Sequence, residues 1–256
     1  IAFDVQGHGP PVILVNGALA DRSAGAPLAA VLAGELTVYT YDRRGRGDSG
    51  DTPPYAVERE VEDLRVMIAA AGGSAFVYGA SSGAALALEA AASGLAIRRL
   101  AVWEPPYIPS GSRPPPPEGV AERLRTLVSL GRRGDAVEHF LQHVVGMPEE
   151  VVAQARQAPF WPAQEALAHT LAYDVAVLGD FTLPAARLAA VEIPTLVLCG
   201  GASVAWIQDT ARAVAEALPE GRHRTIAGQT HSAAPEAVAP VLLDFFVQER
   251  TAGAGR

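Results

Sequence analysis

The stretch "AFVYGASSGAALALEAAASG" (residues 75–94) joins a short apolar run to an alanine-rich one through two serines set between glycines. "AFVYG" reads as a buried strand, and "SGAALALEAAASG" reads as a helix ended by glycine. Between them, Gly79-Ala80-Ser81-Ser82-Gly83 fits G-x-S-x-G with Ser81 in the middle. That pattern needs a strand before it and a helix after it, because the serine sits on a sharp turn that exposes its hydroxyl. In a chain with 25 glycines so short a pattern recurs by chance, so the remaining residues must supply the context.

Outward from this turn, apolar runs alternate with longer helix-like stretches. The runs are "PVILVNG" (11–17), "LTVYTYD" (36–42), "LAVWE" (100–104), "PTLVLCG" (194–200) and "RHRTIAG" (222–228). Unbroken Val, Leu and Ile runs are the mark of strands covered on both faces, hence of a mostly parallel sheet. Helical spacing appears over 55–72, 205–219 and 234–250, giving a doubly wound α/β sheet. The rhythm breaks after "LAVWEPPY": a proline tract leads into helix-like segments at 118–132, 135–146, 148–157 and 161–174. Some 80 residues are too many for an ordinary connection, so 109–190 is expected to be a helical cap inserted into a core made of 1–108 and 191–256.

With 256 residues, 49% of them hydrophobic, the chain can bury a sizeable core. A net charge of -8 argues against a nucleic-acid partner. No apolar run reaches the roughly 18 to 20 residues that cross a bilayer, so no membrane partner is expected. The start, "IAFDVQGHGPP", opens partway into a strand-like run, which reads as a beginning short of the natural one, and it lacks the layout of a secretory signal. The single cysteine, Cys199, reads as a buried strand thiol and suits a reducing, cytoplasmic setting. All 20 basic residues are arginine, a bias that points to a GC-rich bacterial genome more than to a function.

"YDRRGRGDSG" (41–50), "YGASSGA" (78–84), the helical insertion and "GQTH" (228–231) together resemble the α/β-hydrolase family in order and spacing, over essentially the whole chain. In the family's strand count the insertion falls between strands six and seven. Arg46-Gly47-Asp48 matches a cell-adhesion tripeptide and is read here as a tight structural loop.

The resemblance implies Ser81 as nucleophile, with a histidine as its base. Of six histidines, His231 follows the last strand, where open α/β sheets place their ligands, and family triads run serine, acid, histidine along the chain. His139 and His143 lie four apart on one helix, but without a third ligand they read as a solvated or cap-lining pair, and no metal or other cofactor is expected. Most relatives carry an aspartate after strand seven, where this chain has "GGASVAW" with Ser203 at the expected place. Asp209 falls inside the next helix. Glu104, at the end of the preceding strand, is therefore expected to orient His231. This order is similar to that of the fungal lactonases that open zearalenone, which share a serine-serine-glycine elbow; the likeness implies a chemistry class, not that substrate.

The same resemblance makes the backbone N–H of Ser82 one oxyanion donor and places the second on "NGALAD", at Ala18 before Gly17 or Leu19. Trp161, Tyr107 and Trp103 are candidates for the wall of a mostly apolar cleft. No cluster of positive charge is evident near the site, so the expected partner is a small, neutral, hydrophobic ester or lactone. C–C bond hydrolysis, a lyase or oxygenase step and a non-enzymatic ligand-binding role stay open as alternatives on the same fold. So does the choice of monomer or homodimer.

Overall fold

The computed structural model describes residues 1–247. Seven strands build one sheet: β1 (Phe3–Gly7), β2 (Pro11–Val15), β3 (Thr37–Tyr41), β4 (Ala75–Ala80), β5 (Ile97–Trp103), β6 (Thr195–Gly200) and β7 (Gly221–Ile226). They lie in the order β1-β3-β2-β4-β5-β6-β7. Only β1 runs antiparallel, along β3; every other neighbour is parallel. β4, which carries the G-x-S-x-G turn at its C-terminal end, is therefore central.

The unbroken apolar runs divide residue by residue between two layers, as a period of two demands. Ile13, Val15, Val77, Val102 and Val197 join one cluster, while Val12, Leu14, Tyr78, Trp103 and Leu198 join the other. Helices α2 (Val57–Ala70), α3 (Ser82–Ala92) and α10 (Ala205–Ala217) supply residues to the first cluster; α1 (Ala26–Leu32) and α11 (Pro235–Val247) supply the second. Residues 248–250 of the expected last helix lie outside the described residues. Among the described residues no helix is long and apolar enough to cross a membrane.

Between β5 and β6, the fifth and sixth strands of this chain, come α4 (Val120–Ser129), α5 (Arg133–Phe140), α6 (Glu149–Ala155), α7 (Trp161–Leu167), α8 (Leu171–Leu178) and α9 (Ala185–Leu188). The helix expected over 161–174 is broken: a 3₁₀ turn at Ala168–Thr170 separates α7 from α8. There the Thr170 hydroxyl donates to the Leu167 carbonyl at 2.9 Å, the local competition with helix bonding that threonine offers. The break seats the insertion on the core. His169 Nε2 lies 2.7 Å from the Gly45 carbonyl, the Tyr173 hydroxyl donates to Asp51 at 2.7 Å, and the Tyr173 ring stacks on Tyr55.

Candidate active site

The turn between β4 and α3 holds Ser81 at φ 55°, ψ -126°, a region that a residue with a side chain occupies only under strain. Both glycines of the motif are needed for close approach. A Cβ on Gly79 would stand 2.5 Å from the Gly83 carbonyl oxygen, and one on Gly83 would stand 2.2 Å from that of Val15. The Ser81 N–H donates to the Trp103 carbonyl at 2.9 Å, which ties the turn to the end of β5. Beside it, Gly17 leaves room that a side chain would fill: its Cβ would fall 2.9 Å from the Ser81 Cβ.

The next residue after β5 is Glu104, also at positive φ (46°) and fully buried. Its carboxylate accepts three hydrogen bonds: from the Gly200 N–H at 2.8 Å, from the Ser203 hydroxyl at 2.6 Å, and from His231 Nδ1 at 2.6 Å. Burial alone would raise its pKa. The bonds from His231, Ser203 and Gly200 outweigh burial and hold it below the ordinary carboxylate value. Ser203, on the loop after β6, thus serves the Glu104 carboxylate as a donor. Asp209 is exposed on α10 and pairs with Arg212. The His231 side chain is about half exposed, and its carbonyl accepts from the Trp103 indole at 3.0 Å.

With Nδ1 donating to Glu104, Nε2 of His231 is left as the basic nitrogen. Neither the Ala18 N–H nor the Ser82 N–H has a hydrogen-bond partner among the described residues, so both amides are free to meet an oxygen.

Sequence reasoning missed a group directly beneath this site. Arg43 and Arg46, 1% exposed each, are buried with Glu60 and Asp174. Arg43 Nε and Nη2 bind the two Glu60 oxygens at 2.8 Å each, and Nη1 reaches Asp174 at 2.8 Å. Arg46 Nη2 bridges both Asp174 oxygens at 2.7 and 2.9 Å. Ser82 Oγ donates to Asp174 at 2.7 Å and tethers the start of α3 to the insertion. Burial pushes the pKa of Asp174 upward, but Arg46, Arg43 and the Ser82 hydroxyl override it and keep the carboxyl ionised. Two buried guanidiniums therefore do lie near the site, which the sequence reading did not place there. The two guanidiniums are matched by two carboxylates, so the group is neutral as a whole. The tripeptide 46–48 is structural as read, with the Arg46 side chain turned inward.

Two pocket candidates need correction. Tyr107 and Trp161 are 4% exposed and packed in the cluster joining sheet to insertion, with the Trp161 indole donating to Glu165. Trp103 lies on the opposite layer, toward α1 and α11, in the wall of a cavity of about 350 Å³ that it shares with Asn16, Leu28, Tyr78 and His231. Large aromatics bury most area when packed in a core, and these do. His139 and His143 meet at a tilt, with ring centroids 4.4 Å apart and ring planes at 55°. Cys199 is buried, its thiol 3.4 Å from His223 Nε2.

A family model described as "Alpha/beta hydrolase family" matches residues 12–241. The solved structure of an alpha/beta hydrolase from Sphaerobacter thermophilus is 61% identical and superposes with a TM-score of 0.92, covering 96% of this chain and 95% of that one. A thermophilic esterase from Thermogutta terrifontis shares the fold at a TM-score of 0.72 and 23% identity, over 95% of this chain and 92% of its own. The Bacillus subtilis protein called "Uncharacterized hydrolase YraK" is 37% identical over 93 residues, which span 35% of this chain and 34% of YraK. The family model spans nearly the whole sheet and the insertion, and the chain belongs to the alpha/beta hydrolase family.

Proposed function

We propose that this chain is a serine hydrolase that cleaves a neutral, hydrophobic carboxylic ester or lactone through an acyl-enzyme on Ser81. Residues 109–190 act as its cap. The observation that carries the reading is the 2.6 Å contact of His231 Nδ1 with buried Glu104, the residue after Trp103, whose carbonyl accepts from the Ser81 N–H. Ser81 Oγ attacks the substrate carbonyl while His231 Nε2 takes its proton. Glu104 holds the imidazole in the useful tautomer and stabilises the imidazolium. The N–H groups of Ala18 and Ser82 receive the oxyanion. Collapse expels the alcohol, protonated by His231; a water molecule then repeats the steps to free the acid. The buried arginines are neutralised by Glu60 and Asp174, so they do not call for an anionic substrate.

The test is hydrolysis of p-nitrophenyl esters, acetate through octanoate, by the wild type and by Ser81→Ala, Glu104→Gln and Asp209→Asn. Ser81→Ala and Glu104→Gln should each lose about 10³-fold or more in kcat, with Asp209→Asn near wild type. Full activity in Glu104→Gln overturns the acid assignment. A wild type that neither turns over esters nor is labelled at Ser81 by an organophosphonate overturns the hydrolase reading.

A further inference from the structure

The Gly17 carbonyl and the Ala18 N–H belong to one peptide unit, and that unit is trans. Oxygen and hydrogen therefore point in opposite directions from a shared plane, and whatever fixes one aims the other. Arg46 Nη1 donates to the Gly17 carbonyl and, at 3.3 Å, to that of Ala20. Arg43 Nη1 reaches the Asn16 carbonyl, one peptide earlier, at 3.3 Å. Three carbonyls of the loop between β2 and α1 are thus gripped from below by two buried guanidiniums. Arg46 is in turn set by the two-oxygen bridge to Asp174, on α8 of the insertion, and the same Asp174 oxygen takes the Ser82 hydroxyl.

We propose that Arg46 is a positioning residue of the oxyanion hole: it fixes and polarises the Gly17–Ala18 peptide so that the Ala18 N–H faces the reacting oxygen, and Asp174 carries that alignment from the helical insertion. The inference rests on the hydrolase reading above. A planar fork suits the task, since one end grips a carboxylate while the other grips a carbonyl, and a lysine ammonium has no such fork. A donor on the carbonyl oxygen draws electron density from the amide, making its N–H a stronger donor to an anion. At 1% exposure no solvent competes for the guanidinium.

An alkyl trifluoromethyl ketone tests this. Ser81 Oγ adds to the ketone carbon, its proton passes to His231, and the former carbonyl oxygen becomes a hemiketal oxyanion in the hole. Titration of the adduct followed by 19F NMR reports how well that anion is held. Loss of folded fraction lowers the signal without moving its midpoint, which separates positioning from bulk stability. Arg46→Lys should raise the hemiketal midpoint by about one pH unit. It should also cut kcat for p-nitrophenyl butyrate by about 10- to 100-fold, with KM within about threefold, somewhat less than outright removal of one donor. Asp174→Asn, which keeps shape and one acceptor oxygen, should move both readouts the same way by less, and it carries the test if Arg46→Lys does not fold. An unmoved midpoint in a folded variant whose wild type forms the adduct overturns the positioning role alone. A wild type that forms no adduct, or one formed equally by Ser81→Ala, overturns the hydrolase reading and this proposal with it.

Discussion

Ser203→Ala removes one hydroxyl from a carboxylate that has no bulk water to fall back on. Glu104 is fully buried, and Ser203 supplies one of its three hydrogen bonds, at 2.6 Å. A bond to a charged group contributes about 1.5–3 kcal/mol net, and stripping it leaves a buried acceptor short of a partner. Taking about 2 kcal/mol, a chain of this length should lose roughly 4–8 °C in Tm. Activity should fall less than tenfold at neutral pH, because the Glu104 oxygen that meets His231 is not the one Ser203 serves. The acid side gives the sharper signature. Glu104 sits below its ordinary pKa in the fold, so its stabilisation is present above the unfolded value of about 4.3 and is lost as pH falls through the folded value. Without the Ser203 donor, burial pushes the folded value up toward the unfolded one, so the stabilisation is smaller at pH 7 and what remains is fully lost at a higher pH. Thermal denaturation at pH 7 and pH 4, with Ser203→Thr as the hydroxyl-retaining control, reads both effects. Equal Tm for Ser203→Ala and wild type at both pH values would refute the role given to this hydroxyl.

Trp103→Phe keeps most of the buried ring but removes the indole donor to the His231 carbonyl; about 1–2 kcal/mol of stability and several-fold in kcat should go, by urea unfolding and ester turnover. Gly83→Ala drives a Cβ to 2.2 Å from the Val15 oxygen and should cost about 3 kcal/mol or prevent soluble expression. Exposed Gly34, whose Cβ would meet nothing within 4 Å, should accept alanine with no loss or a gain of about 0.4–1 kcal/mol; equal penalties at the two glycines sink the close-approach argument. Burial works to raise the pKa values of Glu60 and Asp174, but their arginine partners hold both below the ordinary range. These carboxylates should therefore make the urea midpoint fall as the pH is taken below about 4 and they protonate through their lowered folded values; a midpoint that rises on acidification in that range contradicts this sign.

Why some of this was readable in the residues and some was not follows from the range of each interaction. The central strands announce themselves because strands covered on both faces are apolar throughout, and Ser81 and Glu104 stand out because each follows a strand end directly, while His231 lies on the loop after the last strand. The alternation that puts Val102 and Trp103 on opposite layers is also in the sequence. It says which residues share a face but not which face the insertion covers, so the sequence does not show that Trp103 stands on the layer opposite the insertion, where its indole braces the histidine loop. Positive φ at Glu104 carries no residue signal, since only glycine advertises that conformation. Asp174 is the hardest case: it stands 131 and 128 residues from Arg43 and Arg46, in a stretch whose only local signal is helical. Single charges in a helix ordinarily face water, and burying this one is favourable only because two guanidiniums and a hydroxyl arrive from other elements to meet it. Asp174 lies on α8, and its neighbours His169 and Tyr173 are bonded to the core loop at Gly45 and Asp51, so the signal for the charge cluster resides in where the insertion docks rather than in any local run of residues.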